Sequence, residues 1–137
     1  MIDKAIVKNR LYFRDVIITL VILVPLGIAL KLYPGPGRNW INNYSAGIIY
    51  EIFWIVFGLI FVKSWRSAGL LPVFVFIATC LIEFAQLWHP GFLTTVRSCF
   101  AGQALLGTTF SWSDFPHYIA GCVLGRLYIK HLEKRYG

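Results

Sequence analysis

The stretch LLPVFVFIATCLIEFAQLW, from Leu70 to Trp88, decides the fold. A helix needs roughly 17–25 mostly apolar residues to cross the hydrocarbon core of a bilayer, because each residue rises about 1.5 Å. Backbone groups in lipid must be hydrogen-bonded within the segment, so such a stretch forms a helix and not an open strand. This segment is therefore predicted to span a membrane.

Three further segments have similar length and apolarity, at residues 16–32, 46–62 and 115–130. Asp114 directly precedes the last of them, where a short polar side chain can cap a helix. Residues 96–112 contain an apolar run that is too short to span, which predicts a short interfacial or re-entrant helix. We therefore predict an all-α integral membrane protein, a single domain with four transmembrane helices.

The composition agrees with this prediction. The chain has 137 residues, of which 58% are hydrophobic and only 14% are charged. A soluble domain carries about 25% charged residues, and disordered chains are poor in apolar residues. The length allows one domain. The sequence therefore excludes a disordered chain and disfavours an ordinary soluble globule.

The lysines and arginines indicate an orientation. With four spans, ten of the 13 basic residues fall on the side that holds both termini and the segment between the second and third helices. The other side holds Lys31, Arg38 and Arg97. This positive-inside bias predicts cytoplasmic termini. Because the basic residues flank the spans and form no single patch, the predicted partner is membrane lipid and not nucleic acid.

Three acidic residues, Glu51, Glu83 and Asp114, lie in or beside the predicted spans. An intramembrane carboxylate costs a few kcal/mol, which makes each one a candidate functional residue. Glu51 lies five residues inside the outer end of the second helix, and Glu83 lies five residues before the outer end of the third. Both are therefore expected about 7–8 Å below the outer end of their helices.

Neighbouring polar residues extend this set. Gln86 is three residues after Glu83 and shares its helix face, and His117 has the same relation to Asp114. Arg97 follows in the outer loop, where its planar guanidinium could bind a carboxylate. The predicted outer-facing polar cluster consists of Glu51, Glu83, Gln86, Arg97, Asp114 and His117. The alternative is that these groups pair with one another and only hold the bundle together.

The sequence contains no established motif for catalysis, metal binding or a cofactor. No H-x-x-x-H or H-E-x-x-H spacing is present, and neither is a G-x-S-x-G or a glycine-rich phosphate loop. His89 or His117 could ligate a metal or a pigment, but no spacing favours either. We therefore predict no cofactor and no metal, and assign no catalytic residue.

The second half of the chain contains polar residues and glycines in a characteristic order. The pattern is E-x-x-Q within LIEFAQ (81–86), then Arg97, then LGTTFSWSDF (106–115), and finally Tyr118 with Gly121. This order resembles the VanZ-like superfamily. The resemblance is nearest to a small four-helix membrane branch of unknown function. It implies a bacterial or archaeal membrane protein whose polar residues map onto Glu83, Gln86, Arg97 and Asp114.

One departure from that branch concerns the second helix. The branch usually has a Gly-Asp pair where this chain reads NYSAG, residues 43–47. Glu51, one turn further along the helix, is a candidate to replace the missing acid. If it does not replace that acid, a family activity that needs the acid would be altered.

Three functions remain open at this stage. The first is an envelope protein that binds a lipid or lipid-linked head group in an outer-facing polar pocket. The second is a non-catalytic accessory subunit of a larger membrane complex, or a homo-oligomer, that docks through the aromatic residues of the second helix. The third, and least favoured, is an intramembrane enzyme with a carboxylate base and Arg97 as anion clamp.

Overall fold

The computed structural model describes residues 5–7, 9–88, 90–106 and 110–137. Five residues that were named or counted above lie outside these ranges: Lys4, Lys8, His89, Thr108 and Thr109. Within them the chain is all-helical, as predicted, and the only β-type pairing is an isolated bridge between residues 5 and 64.

The elements follow one another as a series of helices with short connections. They are α1 (Arg10–Lys31), α2 (Arg38–Trp40), a π-helical segment (Ile41–Ser45), α3 (Ala46–Gly58), α4 (Trp65–Ala85), α5 (Gly91–Arg97), α6 (Phe100–Leu106) and α7 (Asp114–Tyr136). The short helix expected between the third and fourth long segments is thus two short helices, α5 and α6.

Side-chain caps fix where two of the long helices begin. The Asn9 side chain accepts a hydrogen bond from the backbone N–H of Tyr12 at 2.8 Å, and α1 starts at the next residue. The Ser64 hydroxyl accepts from the N–H of Ser67 at 3.2 Å at the start of α4. Both caps satisfy N–H groups that have no partner within the helix.

The four main helices, α1, α3, α4 and α7, alternate in direction along the chain, so their ends meet in two groups. The Tyr12 hydroxyl, near the start of α1, donates to the carbonyl of Leu59 just after α3 at 3.1 Å. Its ring also meets the rings of Trp65, at the start of α4, and Tyr136, at the end of α7. We call this end of the bundle the termini end, and the opposite end the cavity end.

Two glycines let α7 approach α3 closely. A Cβ at Gly121 would lie 2.6 Å from the Cβ of Glu51 and 2.8 Å from the carbonyl oxygen of Ile48. A Cβ at Gly125 would lie 2.5 Å from the Cδ1 of Ile55. Small residues at i and i+4 are the usual way in which helices pack backbone to backbone in lipid.

The hydrophobic core lies toward the termini end. Its buried side chains come from α1, α3, α4 and α7 and the segments that join them; they include Tyr12, Val16, Ile55, Val56, Leu59, Ala68, Ile129 and Leu132. Fewer apolar groups fill the cavity end. The bundle is therefore close-packed at one end and open at the other.

The prediction of four membrane-spanning helices is met in part. Among the described residues, two helices are long and apolar enough to cross a membrane, α1 and α4. The unbroken α-helix α3 has only 13 residues, because the π-helical segment interrupts the helical run that starts at Arg38. The helix α7 has 23 residues but carries five charged side chains from Arg126 to Arg135.

The two apolar helices are not buried core helices. Only Tyr12, Val16 and Leu23 are buried among the 22 residues of α1. Large apolar side chains along α1 and α4, such as Val21 and Phe74, are 65% exposed. A contiguous apolar surface of this kind is unfavourable in water and is typical of a surface that contacts lipid or another protein.

Candidate functional site

A cavity of about 500 Å³ opens at the cavity end, bounded by α1, α3, α4, α6 and α7. Its walls are mainly apolar and aromatic and come from α1 and α3; they include Leu23, Ile28, Ile49, Phe53 and Trp54. Its polar lining includes Lys31, Glu83, Gln86, Ser111, Asp114 and Tyr118. This volume and this mixture of surfaces are typical of a small-molecule or lipid site.

Glu83 is the centre of the polar lining. Its side chain is only 2% exposed. The hydroxyl of Tyr118 donates to Oε1 at 2.5 Å, and the Gln86 amide donates to the same oxygen at 3.4 Å. Oε2 receives a longer bond of 3.5 Å from the backbone N–H of Ser111. A buried carboxyl needs such partners, since burial without them costs several kcal/mol.

Asp114 places a second carboxyl beside Glu83. Burial, together with the charge of Glu83 and a hydrogen bond to it, raises the pKa of Asp114 to about 6. The positive charges of His117 and Lys31 act in the opposite direction. Two neighbouring carboxyls ionise together only at a cost, so Asp114 keeps its proton to a higher pH than an exposed aspartate does.

Arg97 does not pair with these carboxylates. Its guanidinium donates to the carbonyl of Ala85 at 3.1 Å and to that of Trp88 at 3.2 Å. These carbonyls belong to the last turn of α4 and the turn that follows it, where helix carbonyls lack partners within the helix. The two salt bridges among the described residues both involve Asp15. Arg97 therefore ties α5 to the end of α4 and leaves the cavity without an arginine.

Glu51 is fully buried but does not line the cavity. Its Oε2 accepts a hydrogen bond from the Cys122 thiol at 3.2 Å. Its Oε1 has no hydrogen-bond partner among the described residues. Glu51 and Glu83 were expected at a similar depth and in one cluster. They do not share a site, because Glu51 faces α7 beside Gly121.

His117 also lies outside the cavity lining. Its ring stacks on Tyr44 with centroids 4.5 Å apart, and its Nδ1 is 2.7 Å from the carbonyl oxygen of Ser113. Among the residues that the structure describes, no three His, Cys, Asp or Glu side chains form a metal-ligating group. His117 therefore packs the start of α7 against the π-helical segment.

Of the six residues in the predicted cluster, Glu83, Gln86 and Asp114 meet at the cavity, and Arg97, Glu51 and His117 do not line it. Tyr118 and Lys31 also line the cavity, although neither belongs to the predicted cluster. Tyr118 lies four residues after Asp114, a spacing that places both on one helix face. Lys31 lies one residue before the end of the predicted first span, but no pattern in the sequence directs it toward α7.

The comparison with known families gives one match. A family model described as "Protein of unknown function (DUF2809)" matches residues 37–122, which includes α3, α4 and the first part of α7. No solved structure matches the chain. The expectation of a family of unknown function is thus confirmed, and the match carries no link to the VanZ-like superfamily.

Proposed function

This chain belongs to the DUF2809 family of unknown function, and we propose that it is an integral membrane protein that binds a lipid or lipid-linked head group. The observation that carries this proposal is the division of the cavity into two parts. Apolar and aromatic side chains form its walls, and Glu83, Asp114 and Tyr118 form its polar part. An amphipathic ligand matches this division, with chains along the walls and its head group at the carboxyls.

The hydrogen-bonding capacity of the polar part favours a head group that donates. The carboxyls of Glu83 and Asp114 line it together with one cation, Lys31, whereas the Arg97 guanidinium is held by backbone carbonyls. Hydroxyl or amino groups are the natural partners of carboxyl oxygens. A sugar or an amine at the end of a lipid is therefore favoured over a bare phosphate.

We propose four spans for the membrane placement. The helices α1 and α4 qualify by length and apolarity. The helical run from residue 38 to residue 58 and the helix α7 are each about 30 Å long or more at 1.5 Å per residue, which matches the hydrocarbon thickness. These four elements alternate in direction along the chain, which supports crossing by all of them. We also propose that the chain belongs to the VanZ-like superfamily.

The distribution of charge supports cytoplasmic termini in a prokaryotic inner membrane. Among the described basic residues, Arg10, Lys63, Arg66 and Lys134 lie in the first or last turn of helices at the termini end, or beside them. Lys31 lies at the cavity end. An excess of cations on one side follows the positive-inside rule. The cavity then opens toward the outer leaflet.

The test measures the lipid that remains on the purified protein, by native mass spectrometry from gentle detergent. We expect the wild-type chain to retain a defined lipid. Glu83→Gln should reduce its occupancy at least severalfold, because the substitution removes a buried carboxyl from the cavity. Glu51→Gln is the matched control, since Glu51 is an equally buried carboxyl outside the cavity lining.

Gly27→Leu provides a second test if Glu83→Gln does not fold. Gly27 lines the cavity wall, and a Cβ there would meet only Ile49 at 3.5 Å, so a leucine side chain would occupy part of the cavity. It should displace the lipid without any change of charge. Equal lipid retention by Glu83→Gln, Gly27→Leu and Glu51→Gln would overturn the proposal.

An accessory subunit is the second candidate, and a row of aromatic side chains on α3 favours it. Phe53 stacks on Phe57 with centroids 6.0 Å apart, and the ring of Phe57 meets that of Phe61 at 5.4 Å. Phe61 is 67% exposed. Phe61→Ala should release a partner that docks on this row, so the mass of the assembly purified from native membranes would fall. Lipid binding should not change in this variant.

A further inference from the structure

A groove of about 570 Å³ runs along the outside of the bundle between α4 and α7. It has no lining residue in common with the cavity. Gly69 and Pro72 form its α4 side near the termini end, and Cys122 forms part of its α7 side. Small side chains at Gly69 and Cys122 leave a groove open between the two helices, which meet where the Cys122 thiol donates to the Pro72 carbonyl at 3.4 Å.

Two cations lie at the end of the groove nearest the termini. Arg126 and Lys130 are one helical turn apart on α7, so both side chains lie on the same face. Both are exposed, and neither forms a salt bridge within the part of the chain that the structure describes. Their positive charges are therefore available to an anion at this end of the groove.

Gly69 determines where the Arg126 guanidinium lies. A Cβ at position 69 would collide with the guanidinium nitrogens of Arg126. The guanidinium therefore rests directly on the backbone of α4, across the end of the groove. Arg126 is therefore placed at the end of the groove that it lines, in contact with α4.

The length of the groove matches one leaflet. Its lining on α7 extends from Ile119 to Lys130, which is about 16 Å at 1.5 Å per residue. Half of the hydrocarbon core is about 15 Å. Exposed apolar side chains, such as Val73 and Val123, form the sides over this length. An acyl chain that starts at the basic end therefore reaches the middle of the bilayer within the groove.

We propose that this groove binds one acyl chain of an anionic phospholipid, with the lipid phosphate on Arg126 and Lys130. The proposal uses the membrane placement given above, which puts the basic end at the cytoplasmic leaflet, but it does not depend on any ligand in the cavity. Anionic lipids are the main negatively charged component of that leaflet. The site is thus chemically distinct from the carboxyl-lined cavity.

The test uses the purified full chain, titrated with phosphatidylglycerol or phosphatidylcholine of identical chains and followed by native mass spectrometry. We expect phosphatidylglycerol to bind more tightly than phosphatidylcholine. Arg126→Gln and Lys130→Gln should each weaken phosphatidylglycerol binding about fivefold, since one cation near a membrane surface contributes roughly that much. Each of them tests the site if the other variant does not fold.

Lys134→Gln is the matched control for charge. It removes the same charge from the same helix end, outside the groove lining, and should leave phosphatidylglycerol binding within about twofold of wild type. Gly69→Ala tests geometry without any change of charge. Its methyl group displaces the Arg126 guanidinium, so phosphatidylglycerol binding should weaken while phosphatidylcholine binding does not change.

Three outcomes would overturn the proposal. Equal binding of the two lipids would mean that no head group is selected. An equal loss for Lys134→Gln and Arg126→Gln would reduce the effect to diffuse surface charge. Full binding by Gly69→Ala would show that the position of the guanidinium is irrelevant. Glu83→Gln separates this site from the cavity, because it should not alter phosphatidylglycerol binding in the groove.

Discussion

Asp114 and Glu83 bring two carboxyl groups together in a cavity that also has apolar and aromatic walls. Tyr118, Ser111 and Gln86 donate to Glu83, so most of the available donors serve one of the two acids. Asp114 then retains its proton more readily than an exposed aspartate. Because Asp114 precedes the proposed fourth span, its proton can exchange with water at the cavity end.

This arrangement predicts a pH dependence of stability. In the folded protein Asp114 has a pKa raised from 3.8 to about 6, so the folded state holds the proton more tightly than the unfolded state does. The stabilisation that comes from this tighter binding of the proton by Asp114 is fully present below about pH 4 and is lost as the pH rises through about 6. Asp114→Asn should therefore raise the Tm at about pH 7.5, with a gain that shrinks toward about pH 4.

Asp15 gives a control of opposite sign. The hydrogen bond from the Tyr136 hydroxyl, together with Arg14 and Arg135, holds the pKa of Asp15 below its usual value. Its contribution is present above its ordinary pKa and is lost as the pH falls. Asp15→Asn should lower the Tm at about pH 7.5, and this decrease in Tm should disappear in acid. Tm differences that do not depend on pH for both variants would contradict the assignment.

At the scale of elements, the contact between α3 and α7 depends on glycine. The backbone of α7 at Gly121 approaches Glu51 and the Ile48 carbonyl more closely than any side chain would allow. This close approach fixes which face of α7 meets α3. It thereby directs Tyr118 toward the cavity and leaves Arg126 on the groove side.

Gly121→Ala should destabilise the bundle. Its methyl group would lie under 3 Å from a backbone oxygen that cannot rotate away, and overpacking of this kind costs about 1–3 kcal/mol. Gly91→Ala is the control, because a Cβ at position 91 meets nothing within 4 Å. The free energy of unfolding of both variants, measured in the same detergent, checks this prediction. An equal effect of the two substitutions would contradict the proposed packing.

At the scale of the whole molecule, the two ends of the bundle differ in structure. The termini end has the close-packed core, and the backbone N–H of Ile6 donates to the carbonyl of Lys63 there at 2.9 Å. The cavity end has the polar residues and the open volume. The segment between α3 and α4 thus lies beside both termini, which is required if four elements cross the membrane.

Labelling of single cysteines distinguishes four spans from two. In a background without the three native cysteines, Lys63→Cys should react from the same side of the membrane as Lys134→Cys if all four elements cross. If only α1 and α4 cross, residue 63 lies on the opposite side, with Asn43→Cys. A membrane-impermeant maleimide applied to intact cells and to inverted vesicles measures this, and reaction of Lys63→Cys together with Asn43→Cys would refute four spans.

The sequence by itself determined the helical class and identified Glu83, Gln86 and Asp114 as polar residues of the site. It also predicted where along the chain the long helices lie. These features follow from local apolar runs and from the cost of placing a carboxyl among them, so the order of residues is sufficient. Only the tertiary structure decided which polar groups meet. Arg97 was expected at the carboxylates, but it donates instead to the carbonyls of Ala85 and Trp88, at the end of α4 and in the turn after it.

The same reason explains Glu51, Tyr118 and Lys31. Depth along a helix can be counted from the sequence, but the direction in which a side chain points depends on how the helices are rotated against one another. Gly121 and Gly125 set that rotation by allowing α7 to contact α3, which turns Glu51 toward Cys122 and Tyr118 toward Glu83. Because this contact joins residues far apart in the chain, local patterns do not contain it.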